Sequence, residues 1–304
     1  MKGFLVILTL LFTQIALAEP HGVFLTRQKR DALQLFSSMQ APTNVQTFAG
    51  TQLLYYGGPV VHSANVIVVN WTSAVAAQTQ KNIGPFFNAL VNSNYIDWLK
   101  IYDTNIKAVD GRVGTHQTIT RGKFVGTYTI TPNNKNTNLT DADIQTELQA
   151  QIAAGNLPKP NNNTIYMTYF PAGYSISIAG GQSCVDFCAY HDAFKSAKFG
   201  NIFYGVMPSL TGSCSFGCGS GFSALTFDSS HELLEAITDP FPTPGSNPAY
   251  PQAWNTSNGY EIADLCENNS PTTLNTKSGR SYAVTTLFDD RTNACSTGPY
   301  QSSK

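Results

Sequence analysis

The chain predicts an α/β fold built on a mixed sheet, and three features carry that expectation. Continuous β-branched runs such as Val66-Ile67-Val68-Val69 mark strands buried on both faces. Helical periodicities alternate with those runs, and a loop-rich, cysteine-bearing stretch closes the chain.

In chain order, the run at 66–69 ends at Asn70-Trp71 and is followed by a helix over Gln78 to Val91. There Ile83, Phe86, Phe87, Leu90 and Val91 keep helical spacing, with Gly84-Pro85 perturbing the middle. Tyr95 to Leu99 continues that aromatic layer, and Phe124 to Ile130 alternates as a strand. Thr140-Asp141-Ala142-Asp143 opens a helix through Ala154, closed by Gly155 and Pro158. Ile165 to Phe170 and Ile202 to Met207 read as further buried strands. A helix near 222–239 comes next. Pro240, Pro242, Pro244, Pro248 and Pro251 require it to end near Asp239.

The amino terminus reads as an export signal. Lys2 precedes an apolar run from Phe4 to Phe12, and Ala16-Leu17-Ala18 supplies a small-x-small cleavage pattern. This gives a signal peptide over 1–18, an N-terminal arm or short pro-segment over 19–50, and a single α/β domain over 51–304. Arg27-Gln28-Lys29-Arg30 is a processing site or an exposed polar linker. No later segment reaches the ~20 apolar residues of a spanning helix. The expected location is outside the cell, or the periplasm of a Gram-negative host. Charged residues make up only 12% of the chain and the net charge is −1, so no basic face is available for nucleic acid or an anionic membrane.

Six cysteines fit an oxidising compartment: Cys184, Cys188, Cys214, Cys218, Cys266 and Cys295. Two CxxxC pairs have the wrong spacing for a zinc ribbon, and exported thiols seldom stay reduced. The expected bridges join the two short pairs, either locally or crossed, and Cys266 to Cys295.

The chemistry concentrates in His231-Glu232-Leu233-Leu234-Glu235. On a helix of ~3.6 residues per turn, His231 and Glu235 project from one face and can grip one metal ion. Glu232 stands beside them, placed to act on a water. This is the geometry of a zinc-protease helix with the second histidine replaced by glutamate, which points to a zincin-like sandwich. The bland alternative puts Leu233, Leu234 and Ile237 in a core and turns His231, Glu232 and Glu235 to water. Downstream, Glu261 and Asp264 precede Cys266, a cysteine able to pin their segment. In zinc peptidases of the thermolysin type a downstream glutamate completes the site and an aspartate orients the histidine. Glu261 is therefore the expected third ligand, and Asp264 and Asp239 are supporting or alternative ligands.

Four segments together resemble the phosphate-induced protein 1 family, also called EXORDIUM-like, of plants and bacteria. They are Tyr56-Gly57-Gly58-Pro59-Val60; Cys184 to His191, reading CVDFCAYH; Cys214 to Cys218; and the HELLE block followed by Glu261-Ile262-Ala263-Asp264-Leu265-Cys266. The similarity spans roughly residues 50 to 296. Asp239-Pro240 stands where plant members usually carry Asn-Pro. The resemblance implies an extracellular protein and draws attention to His191, read as a packed ring or supporting partner with direct ligation as the alternative.

Two functions follow as expectations. One is an exported zinc-dependent hydrolase, most plausibly a metallopeptidase, with Glu232 as base and His231, Glu235 and Glu261 as ligands. The other is a non-catalytic binding or signalling protein with a structural metal or carboxylate cluster, recognising a peptide or glycan. Calcium is the second metal choice, because Glu235, Asp239, Glu261 and Asp264 are hard oxygen donors whereas His231 is not a normal ligand for it.

Overall fold

A computed structural model describes residues 23–26, 28–29, 51–243 and 245–304. The signal peptide, most of the arm, and Arg27 and Arg30 of the basic cluster lie outside the described residues.

Six strands form the main sheet: β1 (Val23–Leu25), β2 (Ser63–Asn70), β3 (Thr120–Thr129), β4 (Thr164–Tyr169), β5 (Phe187–Ser196) and β6 (Gly200–Met207). Their spatial order is β1-β5-β6-β4-β2-β3. The pairs β3–β2, β2–β4 and β4–β6 are parallel, whereas β5 is antiparallel to β6 and β1 is antiparallel to β5. The sheet is therefore mixed.

Three helices cover it: α1 (Ala77–Leu90), α2 (Asp141–Ala153) and α3 (Gly221–Thr238). Side chains alternate across a strand, so one run can feed two cores. Val66 and Val68 pack with Ile83, Phe86 and Phe87 of α1 and Leu233, Leu234 and Ile237 of α3. Ile67 and Val69 pack instead with Ile144, Leu148 and Ile152 of α2. The continuous β-branched run is thus a strand enclosed between helix layers. Helix α2 begins with a reciprocal cap, in which the Asp143 amide donates to Thr140 Oγ1 and the Thr140 amide donates to Asp143 Oδ2. Helix α1 runs through Pro85 without ending there.

The carboxyl-terminal part is a set of short strands and loops. Thr272–Asn275 pairs with Ser281–Val284 and Tyr300–Gln301, and Phe288–Asp289 pairs with Ala294–Cys295. Disulfides join Cys184 to Cys214, Cys188 to Cys218, and Cys266 to Cys295. The short pairs are crossed rather than local. Crossing ties the start of β5 to the Cys214–Cys218 turn that feeds α3, which braces two chemistry-bearing elements against each other.

Candidate metal centre

Helix α3 ends where sequence spacing places its end, and Asp239 caps it. From Asp228 to Thr238 every residue of α3 is buried, including His231, Glu232 and Glu235 at 0% exposure. The solvent-facing alternative for this helix is therefore excluded. Polar side chains turned inward need partners, because burying an unsatisfied polar or charged group is costly.

Those partners come from two other places in the chain. Strand β5 brings His191, and the loop after α3 brings Asp239, Glu261 and Asp264. His231 Nε2 lies 3.0 Å from Glu235 Oε2 and 3.5 Å from Asp264 Oδ1. His191 Nε2 lies 3.5 Å from Glu261 Oε1, and its Nδ1 lies 3.2 Å from Glu232 Oε2 and 3.9 Å from Glu235 Oε2. Two groups of three converge closely enough to hold a metal ion: His231, Glu235 and Asp264, and His191, Glu235 and Glu261. Glu261, the expected third ligand beside His231, stands with His191. Asp264, expected to orient a histidine, supplies the carboxylate beside His231.

Local backbone explains the placement. Glu235 Oε1 accepts the Ala263 and Asp264 amides at 3.1 Å each, so α3 holds the 261–266 segment through one carboxylate oxygen. The Glu261 amide donates to Asp264 Oδ2 at 2.8 Å, closing a tight turn. Cys266–Cys295 fixes the far end. The Asp239 carboxylate is used elsewhere, accepting the Ala253 amide at 2.8 Å and the Asn255 side-chain amide. Its carbonyl oxygen faces His191 Nε2 at 3.1 Å. The Tyr56–Val60 segment steadies that loop: the Gly58 amide donates to the Gln252 carbonyl at 2.8 Å. A Cβ at Gly58 would come within 1.8 Å of the Pro251 carbonyl oxygen, so only glycine fits there.

The donor set fits a divalent ion. Zinc bonds of about 2.0–2.1 Å imply tetrahedron edges of about 3.4 Å, and His231 Nε2 makes edges of 3.0 and 3.5 Å with its two carboxylates. Neither approach has hydrogen-bond alignment: both His231 nitrogens and Glu235 Oε2 are buried without a hydrogen-bond partner. Glu232 Oε1 and both Glu261 carboxylate oxygens share that condition.

Electrostatics agree. Burial opposes a charged His231, but the carboxylates of Glu235, Asp264 and Glu232 outweigh it and raise its pKa well above 6.5. Burial lowers His191 to about 4, with the Asp239 carbonyl pulling back. Burial first, then the Asp264 charge, pushes Glu235 up to about 7 against His231. Burial likewise raises Glu232 and Glu261 well above the ordinary range, with neighbouring carboxylates adding to both. Without a cation the cluster stores protons; a cation replaces them.

Compared with known protein families, curated proteins and solved structures, the chain finds no match.

Two participants were not assigned by sequence reasoning to the places they hold. Strand β5 escaped notice because its run, Phe187–Ser196, mixes aromatic, acidic and basic residues; the histidine closing CVDFCAYH was its one signal. Strand β1 lies within the segment read as an arm, and its Phe24 ring packs tilted against His231 with centroids 4.6 Å apart. Phe24 is itself buried. A cavity of about 110 Å³ at the carboxyl ends of β4 and β6 is lined by none of the cluster residues.

Proposed function

We propose that the protein is an exported zinc-dependent hydrolase, with peptides as the substrate class. His231, Glu235 and Asp264 would hold the ion, and Glu232 would serve as general base. One observation carries this reading: His231 Nε2 and Glu235 Oε2 sit 3.0 Å apart, fully buried, neither with a hydrogen-bond partner, while Glu235 Oε1 is locked by two amides. A cation placed between them would give both atoms a partner.

Zinc bound there supplies a Lewis acid that polarises a carbonyl and acidifies water. The residues do the rest. Glu235 is oriented by the Ala263 and Asp264 amides, which leaves only Oε2 to face His231. Glu232 follows His231 directly, so its side chain leaves α3 about 100° further round the helix. Its Oε2 is held by His191 Nδ1, and its Oε1 is free to take a proton. Three disulfides, and the absence of a described helix long and apolar enough to cross a membrane, support export. The EXORDIUM-like resemblance and a zincin-like relationship of the α3-on-sheet arrangement belong to this same proposal.

One observation favours a second reading. Every ligand except Asp264, whose side chain is 10% exposed, is closed to solvent. Structural zinc sites are closed, whereas catalytic ones keep an open position. An extracellular binding or signalling protein with a structural ion would look like this. Metal analysis of untagged protein, followed by a peptide-library assay on wild type and Glu232→Gln, separates the two. Bound zinc with cleavage abolished by Glu232→Gln supports the hydrolase. Bound metal without cleavage supports the structural ion, and calcium in place of zinc overturns the zinc assignment.

A further inference from the structure

Building on the ion-binding reading above, we infer that the centre holds two divalent ions that share Glu235. The first lies with His231 and Asp264, and the second with His191 and Glu261. The two donor groups have no other member in common.

Glu261 is the strongest reason. It is fully buried, and neither carboxylate oxygen has a hydrogen-bond partner. A single ion between His231, Glu235 and Asp264 leaves it in that condition. A proton does not repair it either, since a protonated carboxyl is a donor that still needs an acceptor. An ion between Glu261 Oε1 and His191 Nε2, which are 3.5 Å apart, would give that carboxylate a partner.

His191 Nδ1 faces Glu232 Oε2 at 3.2 Å, so Nε2, turned toward Glu261, is the nitrogen offered to the second ion.

The test is metal stoichiometry with zinc as the probe. Metal-free full-length protein is loaded with zinc, freed of excess, and analysed by mass spectrometry for zinc per chain, for wild type and Glu261→Gln. Two ions in wild type and one in the variant are expected. One ion in wild type overturns the two-ion centre while leaving the hydrolase proposal standing; none overturns both. Two ions retained in Glu261→Gln overturn the assignment to Glu261. Imidazole ¹⁵N spectra give a readout independent of the variant's folding. On zinc loading, the wild-type His191 Nε2 resonance should shift as it takes a metal bond, and an unchanged His191 resonance overturns its place in the second site.

Discussion

Replacing Glu235 with glutamine separates the two tasks of this carboxylate. Its Oε1 anchors the 261–266 segment through the Ala263 and Asp264 amides, and an amide oxygen can accept both equally well. Its Oε2, facing His231 Nε2 at 3.0 Å, becomes an NH₂ group that cannot bind a cation. The anchor should survive and the ion should not. The pH dependence gives the magnitude. Burial and the Asp264 charge raise the folded-state pKa of Glu235 from 4.5 to about 7. Between those values the folded chain holds a proton that the unfolded chain has released, so metal-free stability falls as pH rises through that window. Above it the cost is about 3 kcal/mol, at about 1.4 kcal/mol per unit. Glutamine removes that cost. At roughly 2–4 °C per kcal/mol, metal-free Glu235→Gln should melt about 6–12 °C above metal-free wild type at pH 8, with the gap closing toward pH 4.5. Zinc at a hundred times its Kd adds about 2.7 kcal/mol to wild type and nothing to the variant. Calorimetric melts at pH 5 and pH 8, with and without zinc, measure all of this. A variant that gains as much from zinc as wild type would refute the ligand role of Glu235. A variant destabilised equally at both pH values would refute the electrostatic argument.

Glu232→Gln should retain bound zinc and the wild-type melting temperature while losing about 10²–10⁴-fold in hydrolysis rate; loss of zinc together with activity would make Glu232 a ligand instead. Phe24→Ala removes the ring that covers His231 at 4.6 Å, so a chelator should strip zinc several-fold faster, and an unchanged rate would show that access does not run past β1. The double change of Cys266 and Cys295 to serine opens a link between residues 29 apart, which should cost roughly 3–4 kcal/mol in denaturant unfolding. It should also weaken zinc binding, because that bridge fixes the segment bearing Glu261 and Asp264; unchanged zinc affinity would assign the anchoring to Glu235 alone.

Local periodicity determined much of this protein from sequence. The β-branched run Val66 to Val69 marked a strand enclosed on both faces, and Thr140 to Asp143 wrote the start of a helix in its own side chains. His231 and Glu235 share a face because a helix repeats every ~3.6 residues, and that pairing needs no tertiary information. The prolines after Asp239 likewise set where α3 stops. Tertiary structure decided the rest, through contacts between residues far apart in the chain. Whether Glu261 or Asp264 meets His231 depends on how the 261–266 segment lies, and amides bonded to a carboxylate 28 and 29 residues earlier fix that. The entry of His191 required β5 to lie antiparallel beside β6, with His191 opposite Gly205. Crossed rather than local disulfides followed from the same packing of β5 against the turn before α3. Period and capping act within one turn or one strand and can be read along the chain. The ion-binding groups depend on three segments meeting in space, and no local pattern encodes that meeting.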